Sequence, residues 1–165
     1  MDETARRFVE RMGLLCERDG MARTAGRIFG WLLYTGETCS LDELAAGLRV
    51  SKASVSTNAR LLEQIGLLER TSTPGDRRDF YRIGADPWTR MLRGAQARWR
   101  DTLVALRHAM EDAPGAPDRG RCLLGEAAGF HELLLRESET LLEEWARTRA
   151  AARASRMNPV PEEAA

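Results

Sequence analysis

The sequence predicts a mostly helical chain with one small β-hairpin near its middle. Three observations carry this expectation. Apolar residues recur at helical spacing over most of the chain, from Ala5 to Trp145. Two short, capped helices follow each other closely between Ser40 and Gly66. Two β-forming runs, 67–72 and 79–83, flank the turn signal Pro74-Gly75. Helix, tight turn, helix, hairpin is the order of a winged helix-turn-helix. In that fold one helix enters a DNA groove and a basic wing reaches the backbone beside it.

Each element has its own warrant. Residues 3–18 place Ala5, Phe8, Met12 and Leu15 on one helical face, and Asp19-Gly20 ends that helix. Residues 22–34 form a second helix, with Ile28, Phe29, Leu32 and Leu33 apolar. Gly26 and Gly30 lie four apart in it. Each glycine costs about 1 kcal/mol of helix propensity relative to alanine, so a close-packed neighbour is expected there. Ser40 and Glu43 form a capping-box pair, with Leu41, Leu44, Ala45 and Leu48 inward. Gly47–Val50 is the turn, Ser51 caps the next helix, and Gly66 closes it, setting Leu67 to meet Leu62 across the cap. Asp86-Pro87 opens a long helix to about Asp112. Its stripe is Trp88, Met91/Leu92, Ala95, Trp99, Leu103, Leu106 and Met110. Ala113–Pro117 connects it to another helix, striped by Leu123/Leu124, Ala127, Phe130, Leu134, Leu141 and Trp145. The expected organisation is helices for dimerisation or support over 1–35, the winged region over 36–86, long dimerisation helices over 87–148 and a frayed, flexible tail over 149–165.

Length and composition bound the function. At 165 residues the chain holds one domain, or one with an extension, and its apolar and charged fractions are those of a globular protein. Apolar stretches such as Ile28–Tyr34 are far too short to span a bilayer, and the N-terminus lacks the apolar core of a signal peptide, so the cytoplasm is expected. Cys16, Cys39 and Cys122 show no disulfide or zinc spacing, and Cys16 falls on an apolar stripe as an inert thiol. His108 and His131 have no ligand-like partners, so neither metal nor cofactor is expected. The net charge is zero, yet residues 1–100 carry 17 Lys/Arg against 13 Asp/Glu, while 101–165 carry 8 against 12. That asymmetry permits nucleic-acid binding by the first part.

The candidate reading head is helix 52–65. Val55, Ala59 and Leu62 face the core. The other side presents Ser51, Lys52, Ser54, Ser56, Thr57 and Arg60, with Asn58 beside them, and no carboxylate comes before Glu63. Short hydroxyl and amide side chains reach base edges, cations reach phosphates, and the lack of acid avoids repulsion. Taken alone the helix fits a solvated polar face equally well; the capped helix before it and the basic hairpin after it favour DNA. At the hairpin tip Arg77 and Arg78 stand between Asp76 and Asp79. One arginine is suited to the minor groove and the other to phosphate, with Asp76 supporting the wing by orienting one of them.

Residues 40–83 resemble the winged helix-turn-helix of the MarR family of bacterial transcriptional regulators, and Asp76-Arg77-Arg78 fits that family's Asp-x-Arg wing. Gly26–Leu33 and Ser51–Asn58 look more specifically like the GbsR-like branch. The resemblance covers roughly residues 6–110. It implies a homodimer with two recognition helices on a pseudo-palindromic double-stranded DNA site, acting as a repressor that a small-molecule effector relieves. After the wing the chain departs from the commoner pattern, running Arg82-Ile-Gly-Ala-Asp-Pro87, so the family's ligand sites do not transfer.

The apolar stripes also exceed what a winged domain can bury alone, which favours twofold pairing of the terminal helices. Trp31, Tyr34, Trp88 and Trp99 admit two readings: core packing, the more ordinary, or the walls of a pocket for an apolar ligand. Two other classes compete with a DNA-binding regulator. A winged-helix interaction module without DNA binding is disfavoured by Lys52, Arg60, Arg77 and Arg78. An enzyme is disfavoured because no nucleophile elbow, phosphate loop or carboxylate pair is present.

Overall fold

The computed structural model describes residues 1–72, 75–112 and 117–157. Pro74 of the expected turn, the connection over 113–116 and the tail beyond Met157 lie outside the described residues. The elements run α1 (Glu3–Arg18), α2 (Arg23–Thr35), β1 (Cys39–Ser40), α3 (Leu41–Leu48), α4 (Lys52–Gln64), β2 (Leu68–Thr71), β3 (Phe80–Ile83), α5 (Pro87–Asp112) and α6 (Asp118–Met157). The fold is mostly α with a small antiparallel sheet. Two compact units divide the chain, Met1–Met91 and Leu92–Ala165.

In the first unit the N-terminal helices and the winged region share one core. Val9, Ile28, Phe29, Leu32, Leu44, Leu48, Val55, Ala59, Leu62, Leu68 and Tyr81 are buried together. α1 and α2 meet through glycine, as the sequence predicts: a Cβ on Gly26 would fall 2.3 Å from the Met12 carbonyl oxygen, and one on Gly30 3.0 Å from Met12 Cβ. This close approach selects which face of α1 turns inward. Ala5, Val9 and Gly13 are buried, while Phe8, Met12 and Leu15 stay half-buried at the edges. The expected stripe therefore holds for Ala5 and is displaced towards smaller residues elsewhere.

The sheet has the order β1-β3-β2. The β2–β3 hairpin pairs Leu68 with Ile83 and Thr71 with Phe80. Two residues before α3, Cys39 and Ser40, add a short third strand opposite Tyr81 and Phe80, which the hairpin reading did not include. Ser40 then caps α3 at once. Its hydroxyl accepts from the Glu43 amide, and Glu43 accepts from the Ser40 amide at 2.7 Å. The Ser40 amide and hydroxyl, both donating to it, hold the Glu43 carboxyl below its ordinary range.

In the second unit α5 and α6 are joined by side-chain bonds in antiparallel register. Buried Gln96 donates to Ser138 Oγ at 2.8 Å, and Arg107 pairs with Glu132 at 2.7 Å. α6 continues to Met157, past the boundary at 148 expected from sequence. Ala and Arg are strong helix formers, and the 149–157 run holds mostly these. Asn158-Pro159 follows, and proline disfavours helix in the residue before it.

Candidate nucleic-acid interface

α4 is set by caps at both ends. Ser51 Oγ accepts from the Ser54 amide at 3.2 Å. At the other end Gly66 takes the left-handed conformation, φ 88°, and the Leu67 amide donates to the Leu62 carbonyl at 3.0 Å. The Gly66 amide donates to Glu63 O, completing the double bond pattern that ends helices at glycine. A Cβ on Gly66 would stand 3.0 Å from the Arg90 backbone, so both the turn and the packing require glycine.

Burial of Val55, Ala59 and Leu62 turns the opposite face outward. Ser51, Lys52, Thr57 and Arg60 are exposed, and Ser54 and Ser56 are half-buried. The exposed side chains are not equally free. Lys52 Nζ lies 2.8 Å from Asp42, a residue of α3. Arg60 Nε donates to the Ser56 carbonyl and lies back along its own helix. Ser54 Oγ reaches Thr24 Oγ1 of α2 at 3.4 Å. Asn58 differs from the expectation. It is 8% exposed, and its Nδ2 donates to the Ser54 carbonyl at 2.8 Å. Position 58 borders the inward stripe, and folding the amide back on the helix satisfies it there.

The wing separates its two arginines. Asp76 grips Arg78: Arg78 Nη2 is 2.6 Å and Nε 2.9 Å from Oδ2, and the Arg78 amide donates to Oδ1 at 2.9 Å. The Arg78 guanidinium also stacks over Phe80, 5.1 Å from the ring centre. The Arg78 bonds hold the Asp76 carboxyl below the usual aspartate range, and the same pairing raises Arg78. Arg77 is exposed and has no ion-pair partner among the described residues. Below the tip Arg70 pairs with Asp79 across the hairpin. At its base Glu69 binds both Arg82, at 3.3 Å, and Arg90 of α5, at 2.7 Å. Asp42, Thr24, Phe80 and Glu69 were not visible as site residues in the sequence. Asp42, Thr24 and Glu69 act on partners distant in the chain, which no local spacing signals, whereas Phe80 stands only two residues from Arg78.

The four aromatics of the candidate pocket are not brought to one place by what is described. Trp31 rests against Gly47, Tyr34 lies tilted on Phe8 at 5.8 Å, and Trp88 meets Phe29 edge-on at 6.0 Å. The cleft that Trp31 lines lies between α1, α2 and α3, and neither Tyr34 nor Trp88 lines it. Trp99 belongs to the other compact unit. Burial pushes the half-buried Cys16 thiol up, with Asp19 adding to it, which keeps the thiol protonated. Among the described residues no group of three His, Cys, Asp or Glu is placed to hold a metal ion, and no helix is long and apolar enough to cross a membrane.

A capped helix, a tight turn, an exposed second helix free of acid before Glu63 and a braced hairpin beside it define a winged helix-turn-helix protein. Comparison with known proteins names the family. The MarR family profile matches residues 19–79. The HTH-type transcriptional regulator MmpR5 of Mycobacterium tuberculosis (strain ATCC 25618 / H37Rv) is 38% identical over 136 residues, 82% of this chain and 76% of that protein. A crystal structure of a transcriptional regulator superposes with a TM-score of 0.80 at 29% identity, covering 87% of this chain and 99% of the other. The chain belongs to the MarR family of transcriptional regulators, which are DNA-binding proteins and not enzymes.

Proposed function

We propose that this regulator is a homodimeric repressor that binds a pseudo-palindromic operator and releases it on binding a small effector, within the GbsR-like branch of the family. The observation that carries the DNA-facing part is the pairing of an acid-free exposed face on α4 with a wing whose Asp76–Arg78 brace leaves Arg77 exposed and without an ion-pair partner among the described residues. Ser51, Lys52, Ser54, Ser56, Thr57 and Arg60 are the groove-facing set on this reading. Asn58 supports the helix from within, and Arg77 reaches the phosphate backbone beside the groove. The branch assignment rests on Gly26–Leu33 and Ser51–Asn58. Dimerisation is supported by the apolar faces left open on the long helices, and it sets two recognition helices about one DNA turn apart.

The deciding experiment is selection of the purified protein on random duplex DNA at near-physiological salt, followed by sequencing. Enrichment of a pseudo-palindrome establishes a dimeric sequence reader and supplies the operator. A folded dimer that enriches nothing overturns the reading and favours a winged helix that docks protein instead.

A further inference from the structure

Towards its end α6 changes chemistry. Between Glu144 and Glu162 the sequence holds no carboxylate, and Arg147, Arg149, Arg153 and Arg156 fall in that run. Earlier in the unit arginines are answered by acids: Arg100 by Glu139, Arg107 by Glu132 and Arg136 by Glu137. Arg147 and Arg153 are exposed and have no ion-pair partner among the described residues. The register of the two long helices locates the run. Gln96 meets Ser138, Arg100 meets Glu139 and Arg107 meets Glu132. Carried on residue for residue, it brings Leu92, where the unit begins, level with about residues 142–147. From Thr148 to Met157, α6 therefore runs on about 15 Å past Leu92, at 1.5 Å per residue. Along this helix Ser138, Leu142 and Trp145 form one ladder, buried or half-buried. Arg149 and Arg153 continue that ladder, half-buried and then exposed, and Arg156 follows in the sequence at the same helical spacing. A helix C-terminus favours cations, but that field fades within the last turn, so it does not account for Arg147, Arg149 or Arg153. Like charges four apart weaken a helix unless an anion lies between them.

We propose that this basic end of α6 is a second DNA contact, holding the phosphate backbone outside the bases that α4 reads; the proposal rests on the DNA reading above. Guanidinium forks suit phosphate oxygens. Contacts of this kind fix a protein on the duplex without reading sequence, which fits a run of arginine and alanine with few groups for base edges. The chain reaches this end of the unit directly from the wing, β3 ending at Ile83 and α5 starting at Pro87. A basic wing and a basic arm thus address one polyanion.

The test is anisotropy titration of a mixed-sequence duplex at several salt concentrations, which needs no operator because phosphate contacts are independent of sequence. Arg153→Gln with Arg156→Gln removes charge and keeps the helix, since glutamine forms helix about as well as arginine. The expected result is a slope of log K against log salt shallower by about 0.9 for each arginine lost from the backbone. Sedimentation and far-ultraviolet circular dichroism stay as in the wild type. Arg153→Lys with Arg156→Lys restores the slope, because phosphate also accepts an ammonium as a point charge. Arg77→Ala on the wing, run alongside, separates the two readings. If it lowers the slope and the glutamine variant does not, the proposal is overturned and the DNA reading stands. If neither changes the slope, wing and arm are both off the backbone and the two fall together. If the glutamine variant sediments differently, the arginines belong to an acidic helix face of a second copy, which also overturns the proposal.

Discussion

Arg77 and Arg78 carry the same charge one residue apart, but the structure gives them different work. Arg78 is held by Asp76 on one side and Phe80 on the other, while Arg77 is exposed. If the wing lies on DNA, Arg77→Ala lowers the slope of log K against log salt by roughly one unit, the signature of one lost phosphate contact. Anisotropy titrations at several salt concentrations read this, and an unchanged slope removes Arg77 from the backbone. Arg78→Ala acts indirectly by releasing the wing, and Arg78→Lys does not restore it, because an ammonium cannot form the two-pronged contact with Asp76. The brace has a defined pH range. The folded Asp76 carboxyl titrates below its unfolded value, so its contribution is complete above the ordinary aspartate range and is lost as pH falls through the depressed value. Nuclear magnetic resonance of the Arg78 side chain should therefore be invariant near neutrality and change only in acid. The sequence shows a basic turn with acids on either side. It does not show which arginine is bound, because that depends on the turn at Gly75, φ 83°, which aims Asp76 two residues forward. Asn58 was misplaced for a related reason: its position borders both faces, and its bond to Ser54 O decides between them.

At the scale of elements, local chemistry was the legible part. The Ser40–Glu43 capping box, the Ser51 cap and the glycine end at Gly66 all follow from residue types at fixed offsets, and all are present. Ser51→Ala should lower stability by about 0.5–2 kcal/mol, because the Ser54 amide loses its acceptor. Denaturant titration measures it, and an unchanged midpoint would mean that water replaces the cap without loss. Gly26→Ala tests the helix crossing. Alanine gains about 1 kcal/mol of helix propensity, but its Cβ would stand 2.3 Å from the Met12 carbonyl, and backbone cannot turn aside as a side chain can. Overpacking costs about 1–3 kcal/mol, so a net loss and a lower melting temperature are expected. A rise would show that α1 shifts freely on α2. The β1 strand and the inward face of α1 were less legible. A two-residue strand has no period to read. The burial of Val9 and Gly13 is decided by how near α2 comes, not by the size of the apolar residues on α1.

Over the whole molecule the two units differ in how well they cover their own apolar surface. Met1–Met91 has a continuous core. In the second unit Leu103 and Ala128 are the buried apolar side chains among the described residues, while Leu123, Phe130 and Leu141 on α6 are 57%, 58% and 54% exposed. Large apolar side chains exposed along one helix are the form an interaction site takes, and because members of the family act as dimers, a second copy is the partner to test. The stripes were readable from spacing, but whether α5 and α6 would cover each other could not be read, since one helical period serves a hairpin and a dimer equally. If the open face of α6 is the twofold interface, Phe130→Glu with Leu141→Glu places four carboxylates at it, two from each copy. Burying unpaired charge costs several kcal/mol, enough to move a micromolar dimer to monomer in sedimentation equilibrium. The winged unit shares no core residue with α6, so it should stay folded by near-ultraviolet circular dichroism. Binding to a full palindrome should then fall to the level of a single half-site, with half-site affinity kept. A variant that remains dimeric places the interface elsewhere. A variant that is monomeric yet binds the palindrome undiminished separates dimerisation from DNA recognition.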